Sequence, residues 1–196
     1  MIMKNTKLIL FLSLIVASYS LLHSGDMEVF ANEYVTRSGK SLHIEETHPQ
    51  GQSLSDIHLN SSGFDHNLSE TLEDRNPIKS VYIGDLDDNE FDEFYIITVS
   101  SGSGSYGNII AFASNRDKSL SMIHFPTIRS GDERFDGYMG HDNFHISGNK
   151  LIRSFPIFLS SNKNSNPTGG KRQLTYGLYP GEASWQLKIL DLKDIK

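Results

Sequence analysis

Leu174-Thr175-Tyr176-Gly177-Leu178-Tyr179 and, a few residues on, Trp185-Gln186-Leu187-Lys188-Ile189-Leu190 decide the fold class. Leu174, Tyr176 and Leu178 occupy every second position, as do Trp185, Leu187 and Ile189. Successive side chains of a strand point to opposite faces, so this period puts one side of each segment into a core. Working outward, β-rich runs recur at residues 42–45, 80–83, 94–99, 109–113, 122–125, 143–146 and 151–158. Turn-forming residues separate them at Ser62-Gly63, Asp88-Asn89, Ser130-Gly131-Asp132, Ser147-Gly148-Asn149, Asn166-Pro167-Thr168-Gly169-Gly170 and Pro180-Gly181. No segment beyond the N-terminal leader described next carries an apolar stripe of helical period. Short strands joined by polar turns predict an all-β fold, an antiparallel β-sandwich with a barrel-like closure as the alternative.

The N-terminus reads differently. Lys4 and Lys7 precede an apolar run at residues 8–22, interrupted by serines and of secretory rather than membrane-spanning length. This predicts a signal peptide over residues 1–31, cut after the small-x-small pattern Val29-Phe30-Ala31, with Ser20 and Gly25 as other cut points. The remainder, residues 32–196, is expected to form one domain, a size that a single β core accommodates. The chain has no cysteine, which excludes a disulfide framework, thiolate metal sites and a cysteine nucleophile. Eighteen basic against 24 acidic residues give a net charge of −6. Without a basic run, nucleic acid and anionic membrane surfaces are poor partners, because both need clustered Lys and Arg.

Three stretches bear on chemistry. In Asp85-Leu86-Asp87-Asp88-Asn89-Glu90-Phe91-Asp92-Glu93, oxygen ligands at Asp85, Asp87 and Asn89, with Glu93 further on, match the opening of a calcium loop. The sixth position, where such loops use glycine, is Glu90, so an acidic β-turn is the competing reading. His141-Asp142 could suggest a catalytic pair, but neighbours in a strand face opposite ways, and no strand-to-helix nucleophile turn accompanies them. Ser101-Gly102-Ser103-Gly104-Ser105-Tyr106-Gly107-Asn108 lacks the lysine and the helix of a phosphate-binding loop. It is longer than its flanking apolar strands need, with hydroxyls at Ser101, Ser103, Ser105 and Tyr106 and glycines that permit close approach to another surface.

Taken with Asp85 to Thr98, Tyr138-Met139-Gly140-His141-Asp142-Asn143-Phe144 and Arg153-Ser154-Phe155-Pro156-Ile157-Phe158, this loop resembles the bacterial periplasmic inhibitors of invertebrate-type lysozyme. His48-Pro49-x-Gly51-x-Ser53-Leu54-Ser55 and Gly169-Gly170-Lys171-Arg172-Gln173-Leu174 extend the resemblance to roughly residues 40–190. It implies a β-sandwich without cofactor or catalytic activity, often a homodimer, in which a Ser-Gly-x-x-Tyr-like loop enters the lysozyme cleft. Carried onto this chain, the lysozyme-binding residues are Ser103 and Tyr106, with Ser101, Gly102, Gly104 and Ser105 around them. Tyr138, Gly140 and His141 become a secondary interface or its support. The implied setting is the periplasm, the implied partner a lysozyme, and the implied role evasion of host defence.

Overall fold

The computed structural model describes residues 26–49, 52–163 and 166–196. Among them the regular elements are all strands except for one 3-10 turn at Glu133–Phe135. Strands β1 (Asp26–Val35), β2 (Ser41–Pro49), β3 (Ser55–Ser62) and β4 (Ser69–Arg75) form an antiparallel meander in sequence order. Strands β5 (Ile78–Gly84), β6 (Glu93–Val99), β7 (Gly107–Ser114), β8 (Leu120–His124), β9 (Asn143–Ser147), β10 (Lys150–Pro156), β11 (Lys171–Pro180) and β12 (Trp185–Ile195) form a second sheet, ordered β5-β6-β7-β8-β12-β11-β10-β9. This larger sheet is two antiparallel meanders joined where β8 and β12 run parallel, through Ile123↔Trp185 and His124↔Gln186. It curls until its edge strands approach, and the Tyr82 hydroxyl of β5 donates to the Phe144 carbonyl of β9 at 2.9 Å. The result is a nearly closed barrel with a four-stranded sheet laid against its outside, an all-β architecture of sandwich and barrel character together.

Two cores follow. The interior of the curled sheet holds Tyr95, Ile97, Ala111, Leu151, Phe155, Leu174, Tyr176, Leu178 and Leu187. The alternating positions of β11 and β12 therefore do face inward. Between the small sheet and the outside of the barrel lie Leu42, Ile44, Ile57 and Leu59, packed with Phe94, Ile96 and Phe112. Strand β6 is thus buried on both faces: Tyr95 and Ile97 enter the barrel, Phe94 and Ile96 the second core. That double burial is why Phe94-Tyr95-Ile96-Ile97 is apolar without alternation, and each such side chain contributes about 1.5–3 kcal/mol through removal from water.

Strands β1, β3 and β4 are additions to the sequence reading. Of β3 and β4, Ser55-Asp56-Ile57-His58-Leu59 buries only two large apolar side chains, and β4 is an edge strand with one, Leu72, among charged neighbours. An edge strand of that kind resists pairing with other chains. The expected leader overlaps β1: residues 1–25 lie outside the described residues, whereas Asp26 to Ala31 pair with β2 and Phe30 packs against the second core. A cut after Ala31 would leave Asn32 to Val35 of this strand.

The strand directions sort the connections onto two ends of the barrel. One end carries residues 100–106, 125–142, 157–163 and 166–170; the other carries 85–92, 115–119, 148–149 and 181–184.

Candidate functional site

At the first end, β6 and β7 are joined by a hairpin that stands clear of the sheet. A turn closes it where the Ser105 amide donates to the Gly102 carbonyl at 2.9 Å, and its neck is closed by the Ser100 amide on the Tyr106 carbonyl, also 2.9 Å. Ser101, Gly102 and Ser103 are exposed, Gly104 and Ser105 half-buried, and Tyr106 is 47% exposed. Ser101 Oγ donates to the Ser53 carbonyl at 2.9 Å, tying the hairpin to the β2–β3 connection of the small sheet. A side chain at Gly104 would put its Cβ 2.4 Å from Cε2 of Tyr106, so glycine is what lets the tyrosine ring lie across the hairpin.

The segment Tyr138 to Asp142 comes to the same place. The His141 amide donates to the Gly104 carbonyl at 2.6 Å, and the Tyr106 and Tyr138 rings meet edge to face with centroids 5.7 Å apart. Gly140 has φ +85°, and a Cβ there would lie 2.0 Å from the Gly104 carbonyl oxygen. Ser103, Gly104, Tyr106, Met139 and His141 line one cleft of about 100 Å³. The two stretches singled out in the sequence therefore form one surface.

His141 and Asp142 do part company. The chain turns at His141 (φ +58°), whose ring is outside, stacked on Phe158 of the 157–170 connection at 5.9 Å between centroids. Asp142 points inward into a hydrogen-bonded knot. Its Oδ2 accepts from the Gly107 amide at 2.7 Å and from the Tyr138 hydroxyl at 2.5 Å, and its Oδ1 accepts from Nε of Arg153 at 2.7 Å. Arg153 also donates to the Tyr138 oxygen at 2.8 Å. This guanidinium is 1% exposed and lies 5.0–5.8 Å from the ring centroids of Tyr138, Phe135, Phe144, Phe125 and Phe155. Burial opposes its charge, but Asp142 outweighs that and holds the Arg153 pKa above its ordinary value. Burial likewise raises the Tyr138 phenol, which keeps its proton and donates it.

Nothing in the motif Arg153 to Phe158 by itself assigns Arg153 a role. The signal was its register: Leu151, Arg153 and Phe155 share the inward face of β10, so a charge sits where the period demands an apolar residue. Its partner in β9's lead-in could not be read from spacing.

The opposite end is built on the acidic loop. Asp85 Oδ1 and Oδ2 accept from the amides of Asn89 and Glu90 at 3.0 and 2.9 Å, and Glu90 takes φ +73°, the left-handed conformation that glycine would serve at that position. Asp85, Asp87 and Glu93 bring one carboxylate oxygen each within 4.8 Å of one another. Asn89 is otherwise engaged, donating to Asp87 Oδ2 at 2.9 Å and accepting from the Phe91 amide at 2.8 Å. Glu93 is 1% exposed, and its Oε2 accepts from the Leu86 amide at 2.8 Å and the Tyr95 hydroxyl at 3.1 Å. Burial pushes its carboxyl up to about 8, with the charges of Asp87 and Asp85 adding to the rise. Asp87 is raised by burial and by Asp85, and its Oδ1 is shielded from solvent with no hydrogen-bond partner. The cations nearby go elsewhere: Arg37 pairs with Asp92 at 2.8 Å and only reaches Asp85 at 3.5 Å.

Comparison of the chain with family models, with curated proteins and with solved structures returns no match.

Proposed function

We propose that the protein is a secreted inhibitor of lysozyme, of the invertebrate type, that inserts the hairpin of Ser101 to Tyr106 into the enzyme's active-site cleft. The observation that carries this reading is a glycine- and serine-rich hairpin that projects from one end of the barrel with Ser103 and Tyr106 exposed and a second segment bracing it. A lysozyme cleft holds two catalytic carboxyl groups flanked by sugar subsites. Hydroxyl donors meet carboxylates without burying an opposing charge, and a tyrosine ring offers a flat apolar face in place of a sugar. The net charge of −6 suits a basic partner, and enzymes that act on an anionic wall polymer, as lysozymes do, are typically basic. The reading needs no cofactor and no catalytic step in the protein itself.

The test is clearing of cell walls by invertebrate-type, chicken-type and goose-type lysozymes with and without the protein. Protection from the first alone is the expected result, and clearing unaffected in all three would end the proposal. Periplasmic location belongs to the same reading, and a leader cut at or before Gly25 would keep β1 whole. Cell fractionation and terminal sequencing check both points; Met1 on the secreted chain would contradict them.

A second reading, a calcium-dependent binding module, is favoured by the convergence of Asp85, Asp87 and Glu93 around a carboxylate oxygen without a partner. Oxygen-rich sites of this kind suit calcium. Calorimetric titration with calcium separates the readings, since the inhibitor requires no metal. Binding together with a calcium-dependent rise in melting temperature would move the function to the acidic end.

A further inference from the structure

We infer that Asp142, held by Arg153, is a positioning residue for the lysozyme-facing hairpin, and that the hairpin and the Tyr138 to Asp142 segment act as one preformed element. This rests on the reading of the hairpin as the contact surface.

Asp142 is placed to set that element. It holds the root of the hairpin through the Gly107 amide, and the residue before it holds the tip through the Gly104 carbonyl, at 2.7 and 2.6 Å. Its other oxygen is fixed by Arg153, and its own carbonyl accepts from Lys79 Nζ of β5 at 3.3 Å. The chain of contacts therefore runs from β10 through Asp142 to both ends of a loop that would otherwise hang from two strands.

Stability alone is a poor reason for this arrangement. Buried ion pairs are commonly replaceable by apolar residues of similar size without loss, because desolvation offsets their attraction. What an apolar replacement could not do is accept a hydrogen bond from Gly107, or hold Tyr138 where Tyr106 packs against it. A preordered loop avoids the ordering cost that a flexible one meets on binding, so the expected benefit appears in affinity.

Three proteins test this: wild type, Gly140→Ala, and Asp142→Leu combined with Arg153→Met. Gly140→Ala separates the tip from its brace while leaving the buried charges alone; the double variant removes the lock while leaving no unpaired charge. Amide hydrogen exchange is followed at Gly107 and His141, with Tyr95 and Leu151 as barrel references, beside lysozyme binding and thermal melting. Exchange at His141 in the first variant and at Gly107 in the second should quicken about tenfold or more while the barrel amides keep their protection. The lysozyme dissociation constant should rise about tenfold in both, matching the loss of one charge-assisted or well-placed hydrogen bond. Hairpin amides as protected as in wild type in both variants would overturn the inference, and so would faster hairpin exchange with unchanged affinity. If the double variant does not fold, Gly140→Ala decides the matter through exchange and affinity at the tip. Should wild type bind no lysozyme at all, the inhibitor reading fails by itself, and the exchange data still decide whether Asp142 positions the hairpin.

Discussion

The two ends of the barrel each place a charged residue at an inward strand position, and they handle it in opposite ways. Arg153 meets a carboxylate, a phenol and five aromatic faces, and its charge is held. Glu93 meets an amide, a phenol and two more carboxylates, and its charge is resisted. The difference teaches that burial by itself does not tell what a charged residue does. One end is fixed by its pairing, whereas the other is left open to a proton or a cation.

The largest effect that could break this contrast is at the paired end. Arg153→Leu leaves the Asp142 carboxylate buried without its cation and should cost about 3–5 kcal/mol of stability by urea titration. Glu93→Gln, which keeps an acceptor for the Leu86 amide and replaces a carboxyl that burial already keeps protonated below about pH 8, should cost little. Equal losses from both would show that the two ends do not differ.

Next comes pH. The Glu93 carboxyl rises from 4.5 to about 8 in the folded protein, so between those values the folded state keeps a proton that the unfolded state has released. Its contribution is complete below pH 4.5 and is lost as pH rises through about 8. The slope is at most about 1.4 kcal/mol per pH unit, accumulating to several kcal/mol. Stability measured from pH 4.5 to 8 should fall in wild type relative to Glu93→Gln. Parallel profiles would show that Glu93 does not titrate in this window.

Smaller still is the binding effect at the hairpin. Tyr106→Ala should weaken lysozyme binding by about 2 kcal/mol and Ser103→Ala by about 1.5 kcal/mol, with melting unchanged because both lie outside the cores. Arg116→Ala, on an exposed turn of the acidic end, should change binding by less than about 0.5 kcal/mol. If Arg116 mattered as much as Tyr106, the proposed interface would be at the wrong end.

Much of this could be read from the chain. Period-two alternation gave β11 and β12 their inward faces, and the composition of residues 101–107 marked the hairpin. What could not be read has physical reasons. Strand β4 carries its single buried side chain among charges, because an edge strand needs little apolar content. The turn of Arg116 and Asp117 takes φ of +54° and +59° without glycine, so no punctuation announces it. Asp142 and Arg153 meet across β9 and β10, and no spacing rule connects a residue before one strand to the middle of the next.

The parallel join of β8 to β12 has a consequence for the order of assembly. Each meander closes through neighbouring hairpins, whereas the join must bring Ile123 to Trp185 across the whole second meander. Closing so long a loop is entropically expensive, and only two register pairs reward it. The seam should therefore zip last in refolding and part first in native fluctuations, with pulse-labelled amides of β8 and the start of β12 protected later than those of β6, β7, β10 and β11. Simultaneous protection would mean that the barrel closes in a single step. The molecule is, in folding terms, a clasp fastened at one short stretch, and the strands that carry the hairpin and its brace lie in different halves of it.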